Sequence, residues 1–124
     1  MSHDFKKLDV FHQADQLATD IYRVPSAFPV EERYGLRIQL RRASVSVPCN
    51  IVEGSTRSSK KEYAHFLRMA CGSASEARYL VTLAGRLGYL TVDVSSSLEQ
   101  RFDRLVRGLE LLAQRVVASP SENR

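Results

Sequence analysis

Cysteine is scarce in this chain, with only Cys49 and Cys71 in 124 residues. They lie in separate apolar patterns, without the spacing of a zinc site or a redox Cys-x-x-Cys, so small buried thiols are the expectation. Histidine is thin too: His3 sits at the start and His12 on a polar helix side, leaving His65 without a second ligand cluster. Gly54 and Gly72 stand alone, so no glycine-rich phosphate loop is present. No serine or cysteine has the paired base that nucleophilic catalysis needs. No apolar run approaches the roughly 18 residues of a membrane span. The opening MSHDFKKLDV lacks the roughly 7–15-residue apolar segment of a signal peptide. These absences argue against an enzyme, a cofactor and a membrane, and for a cytoplasmic protein.

What is present is helix. Hydrophobic residues make up 44% of the chain, enough for one core, and a single domain is expected over residues 1–118 with a disordered tail, SPSENR, over 119–124. Val10, Ala14, Leu17 and Ile21 recur at steps of three or four, with Phe11 and Ala18 widening the stripe. That helix should stop near Val24, before Pro25 and Pro29. A second is expected to begin at Val30 to Glu32, where two acids suit the helix dipole, and to carry Leu36, Leu40, Ala43, Val47 and Ile51 to a cap at Gly54. Pro48 interrupts it, which predicts a kink, with Ser44 and Ser46 relieving the freed backbone groups.

The third helix has the clearest start, a capping box from Ser59 to Glu62. Its stripe runs Tyr63, Phe66, Leu67, Ala70, Ala74, Ala77, Val81 and Ala84 to a left-handed cap at Gly88. Midway it narrows to Ala70-Cys71-Gly72-Ser73-Ala74-Ser75, where a neighbouring backbone is expected to approach. The fourth starts at Thr91 or Asp93 and repeats Val94, Leu98, Phe102, Leu105, Leu109, Leu112 and Val116. Val106, Leu111 and Val117 give it a second apolar side, fit for another subunit. No strand pattern competes, so the fold class is all-α, an up-and-down antiparallel four-helix bundle.

The chain also resembles a known family, the four-helix-bundle proteins encoded within intervening sequences of bacterial 23S ribosomal RNA genes. The likeness runs from about Phe5 to Leu112. It is densest over Phe28-Pro29, Tyr34-Gly35-Leu36, Gln39-Leu40-Arg41-Arg42-Ala43, Val45-Ser46, Pro48, Asn50-Ile51 and Glu53-Gly54, and recurs at Arg57, Gly72-Ser73, Glu76 and Leu87-Gly88-Tyr89-Leu90. The resemblance implies a left-handed bundle as the protomer of a ring-shaped homopentamer. It also implies a tie to a distant relative, an accessory protein of a reverse transcriptase in diversity-generating retroelements, which contacts protein and nucleic acid. Ala77 departs from the pattern, where a larger aliphatic residue is expected. Pro48, Asn50, Glu53, Gly54, Gly72, Ser73 and Glu76 then read as structural motif residues, with Asn50 and Glu53 bonding to neighbouring backbone or to Arg57.

Charge supplies the functional candidate. The net charge is +4 and the isoelectric point about 9.3, and the excess is local. Between residues 33 and 61 stand seven basic residues, Arg33, Arg37, Arg41, Arg42, Arg57, Lys60 and Lys61, against one acid, Glu53. Arg33, Arg37 and Arg41 recur at steps of four and would form a row on one helix face, either solvated and paired with acids or contacting phosphates. Repeated around a ring, the patch would make a substantial field for RNA or DNA. Only Tyr34 and Tyr63 supply aromatics there, so backbone-led, salt-sensitive binding is expected. The other reading is a structural or adaptor oligomer presenting surfaces to a protein partner. Glu62 and His65 give one Glu-x-x-His, whereas a di-iron bundle needs two.

Overall fold

A computed structural model describes residues 4–32 and 34–120. Its elements in chain order are a 3-10 turn at Phe5–Lys7, α1 (Asp9–Arg23), a second 3-10 turn at Val30–Glu32, α2 (Leu36–Ser55), α3 (Lys60–Arg86) and α4 (Val92–Ala118). Among the described residues there is no strand, and the four helices form a bundle.

Side-chain pairings set its topology. Across α2 and α3, Gln39 meets Glu76, Ser46 meets Ser73 and Gly54 meets Phe66. Across α3 and α4, Cys71 meets the carbonyl of Val106, Arg78 meets Asp103, and Thr82 meets Glu99. Across α1 and α4, Val10 lies against Gly108 and Asp20 against Arg101. In each series one number rises as the other falls, so every neighbouring pair is antiparallel. α1 packs on α2 and α4 while α3 closes the other side, which is the up-and-down order.

The expected stripes form one hydrophobic cluster. Val10, Ala14, Leu17 and Ile21 of α1 face Leu36, Leu40, Ala43, Val47 and Ile51 of α2 and Leu98, Phe102, Leu105 and Leu109 of α4. In α3 the buried positions are largely alanine, and Ala70, Ala74, Ala77 and Ala84 are fully buried. These small side chains let α3 sit deep between α2 and α4, and Ala77 is part of that fit. Gly72 is not, because it lies on the exposed face of α3, where an added Cβ would meet nothing. The close approach expected there occurs instead at Gly54, where a Cβ would come within 2.7 Å of the Cβ of Phe66.

Helix ends follow their local chemistry. Ser59 caps α3, its Oγ accepting from the Glu62 N–H at 3.0 Å, and Thr91 caps α4 by accepting from the Val94 N–H at 3.2 Å. Gly88 has φ of 77°, and the Tyr89 and Gly88 N–H groups return to the carbonyls of Ala84 and Gly85 at 2.9 and 3.1 Å. That closes α3 with a Schellman motif.

α2 departs from expectation at both ends. Glu31 and Glu32 belong to the separate turn, and the Glu32 Oε1 reaches forward to accept from the Leu36 N–H at 2.9 Å. An acid therefore does serve the positive end of α2, but from the turn before it. At the other end the helix passes through Gly54 to Ser55, with Thr56 as cap. Pro48 does not break it. Nor does Ser44 relieve the freed backbone: its hydroxyl is buried and has no partner among the described residues. Ser46 bonds elsewhere, to Ser73 at 2.9 Å.

No helix among the described residues is long and apolar enough to cross a membrane.

Candidate nucleic-acid interface

Of the seven candidate cations, Arg33 lies outside the described residues. Arg37, Arg41 and Arg42 occupy the first half of α2, while Arg57 follows its last turn and Lys60 and Lys61 open α3. α2 spans 20 residues, about 30 Å at the helical rise. The basic surface expected over α2 and the α2–α3 junction is therefore two areas, one at each end of the helix.

At the α2–α3 junction the charge is mostly engaged within the fold. Arg57 donates from Nη2 to the Glu53 carboxylate at 2.7 Å, and its guanidinium lies 4.7 Å from the centre of the Phe66 ring. Phe66 also seats Gly54, so the guanidinium finishes the seal between α2 and α3. Lys60 donates from Nζ to the carbonyls of Ser119 and Pro120, tying the first two tail residues to α3. Residues 121–124 lie outside the described set. Lys61 is exposed and unpaired among the described residues.

The opposite end differs. Arg41 is held: its guanidinium lies 4.5 Å from the centre of the Tyr22 ring, and Nη2 donates to the Tyr22 carbonyl at 3.3 Å. The last turn of α1 thereby gains a cation on a free carbonyl, and Arg41 gains a fixed orientation with no carboxylate to neutralise it. Arg37 lies one turn away on the same face, half-buried, and Arg42 is exposed on the adjoining side; neither makes an ion pair with a described residue. Glu32 is engaged at Leu36, which leaves Glu31 as the exposed acid of this corner.

Tyr22 has no signal in the sequence, because nothing local links the end of α1 to the start of α2. The antiparallel hairpin through VPSAFP brings them together. The two aromatics of the basic segment part company: Tyr34 is 83% exposed and Tyr63 is 2% exposed in the core, where burial pushes its hydroxyl pKa up.

Of the structural motif residues, Gly54, Ser73 and Glu76 lie on the α2–α3 seam, whereas Gly72 lies off it. The Asn50 amide donates to the Ser46 carbonyl at 2.9 Å and to its Oγ at 3.0 Å, so Asn50 bonds within its own helix rather than across to a neighbour. Glu53 takes Arg57, as expected. Ser73 meets Ser46, and Glu76 accepts from Gln39 at the long distance of 3.5 Å.

Other candidate chemistry falls away from this corner. Glu62 and His65 are both exposed on the outside of α3, away from any bundle interior. Among the described residues no three His, Cys, Asp or Glu side chains gather as metal ligands. Cys49 is exposed, contrary to expectation, while Cys71 is half-buried and its thiol is pushed up in pKa by burial and by Glu110. Two open grooves of about 380 and 300 Å³ lie between α1 and α4. They share Arg101, whose Nη2 donates to Asp20 at 2.7 Å.

Comparison with known proteins then places the chain. A family model described as 23S rRNA-intervening sequence protein matches residues 6–110. The fold is similar to a crystal structure of a protein with unknown function from the S23 ribosomal protein family of Bacteroides thetaiotaomicron. The two share 22% sequence identity over 85% of this chain and 98% of that one, with a TM-score of 0.75. A search of curated protein sequences returns no match.

Proposed function

Because the chain belongs to the 23S rRNA-intervening sequence protein family, we propose that it is a non-enzymatic, cytoplasmic nucleic-acid-binding protein whose contact surface is the first half of α2. The observation that carries the reading is the contrast in pairing: Arg37 and Arg42 have no acid partner among the described residues, and Arg41 is splinted by Tyr22 without being neutralised. Unneutralised guanidinium groups held on a rigid helix suit phosphate, whose oxygens they contact in pairs. RNA is the ligand named in this reading, as the family description points to ribosomal RNA genes, although phosphate contacts alone do not discriminate RNA from DNA.

The protomer acts as a left-handed bundle within a ring-shaped homopentamer. Support comes from apolar surface that one protomer leaves uncovered: Leu111 is 47% exposed, Val117 55% and Met69 39%. Light scattering at micromolar concentration tests this part, and a stable monomer refutes it. A ring would place one arginine corner per subunit around its axis, which raises the local field.

The binding itself is tested by titrating a fluorescent RNA at about 50 mM salt, where phosphate contacts are strongest. The double variant Arg37→Gln, Arg42→Gln should weaken binding and reduce the salt slope by about one per lost phosphate contact, with an unchanged helical circular dichroism spectrum. No binding by the unmodified protein favours instead an adaptor oligomer that presents the same apolar residues to a protein partner.

A further inference from the structure

Two tyrosines share the arginine corner, and neither is used by the core. The Tyr34 side chain is 83% exposed and has no hydrogen bond or ring contact with a described residue. It stands immediately before Gly35, the residue that caps α2, so it precedes Arg37 by three positions and Arg41 by seven. Tyr22 is 52% exposed, although the Arg41 guanidinium lies over its ring. Along the corner the order is thus an open aromatic, Arg37, and an arginine–aromatic stack. About 6 Å of helical rise separates Arg37 from Arg41.

We propose that this corner binds single-stranded nucleic acid, with an unpaired base stacked on Tyr34, a neighbouring base at the edge of Tyr22 and Arg41, and phosphates on Arg37 and Arg42. The inference rests on the nucleic-acid reading above and narrows its ligand. An exposed tyrosine beside unpaired guanidinium groups offers a flat face on which a base can stack next to its phosphate. A duplex offers phosphates to arginine but keeps its bases stacked on one another, so the tyrosines gain nothing from it. A single strand offers both phosphates and free base faces. Neither the stack nor the phosphate contact uses the 2′-hydroxyl, so RNA and DNA single strands should bind within a few-fold of each other.

Fluorescence anisotropy separates the possibilities, using fluorescein-labelled single-stranded RNA and DNA of about twelve nucleotides and the same sequences as duplexes. Tyr34→Ala is the test variant. Tyr79→Ala, at a 55% exposed tyrosine on the outer face of α3, is the control. The expected result is tighter binding of single strands than of duplexes, lost about fivefold or more in Tyr34→Ala and unchanged in Tyr79→Ala. Retention of affinity in Tyr34→Phe completes the expected pattern. Equal affinity for duplex and single strand, or a Tyr34→Ala protein that binds normally, overturns the stacking site. If Arg37→Gln, Arg42→Gln still weakens binding, the basic-surface reading stands without it. Absence of binding to every oligonucleotide at about 50 mM salt overturns both.

Discussion

The two ends of α2 carry the same device and use it differently. At each end an arginine lies over an aromatic ring of the neighbouring helix, Arg41 over Tyr22 and Arg57 over Phe66. In both, the Nε is buried without a partner among the described residues. At the far end a carboxylate completes the arrangement, because Glu53 sits one turn back and neutralises Arg57. At the near end the third member is the Tyr22 carbonyl, which carries no net charge. One end is therefore a closed seal and the other a charged surface. Clusters of basic residues in a sequence do not reveal this difference, since it depends on what each guanidinium finds across the helix boundary.

The contrast is easiest to break at the closed end. Gly54→Val drives side-chain atoms into Phe66, where even a Cβ would sit at 2.7 Å. It should lower the unfolding free energy by about 1–3 kcal/mol, read as an earlier midpoint in urea. Arg57→Ala and Arg41→Ala each lose a ring contact and a hydrogen bond, so each should cost about 1 kcal/mol in the same assay. Only Arg41→Ala should also weaken nucleic-acid binding. Equal loss of affinity in both would erase the distinction between the ends.

Midway along the helix the Ser46–Ser73 contact offers a neutral reference. Removing both hydroxyls in a double-mutant cycle should give a coupling of about 0.5–1 kcal/mol with no change in salt dependence. The smallest effect concerns a neutralised arginine away from α2. Arg78 donates to Asp103 at 2.9 Å, and this bond holds the Asp103 carboxyl below the usual carboxylate range. A depressed folded-state pKa gives stability that is present above the unfolded value and lost as pH falls through the folded one. The loss should appear below about pH 4 and be absent in Asp103→Asn. Both side chains are about 40% exposed, so the contribution should be a fraction of a kcal/mol.

Much of this architecture was legible residue by residue. Ser59, Glu62, Gly88 and Thr91 mark helix ends through bonds within a few residues of themselves, and the apolar stripes follow from helical period. The start of α2 was misread because an acid satisfies a helix N-terminus equally well from the first turn or from just before it, and Glu32 does the latter. The candidate site was harder. Arg41 and Tyr22 are 19 residues apart and Lys60 and Ser119 are 59 apart, so their pairing is a property of the packed bundle. Cys49 misled because a thiol in an apolar stretch looks like core, whereas its position on α2 turns it outward.

The grooves between α1 and α4 bear on how the molecule moves. α1 has 15 residues and α3 and α4 have 27 each, and the α1–α4 boundary is open on both sides of the Asp20–Arg101 bridge. A short helix clamped at few points is the natural first unit to release. Amide protons of α1 should then exchange with solvent well before those of α3, whose alanines lie fully enclosed. Since Arg41 is oriented by Tyr22, every opening of α1 also loosens that guanidinium. A bound strand would slow exchange in a helix that the proposed phosphate contacts never touch.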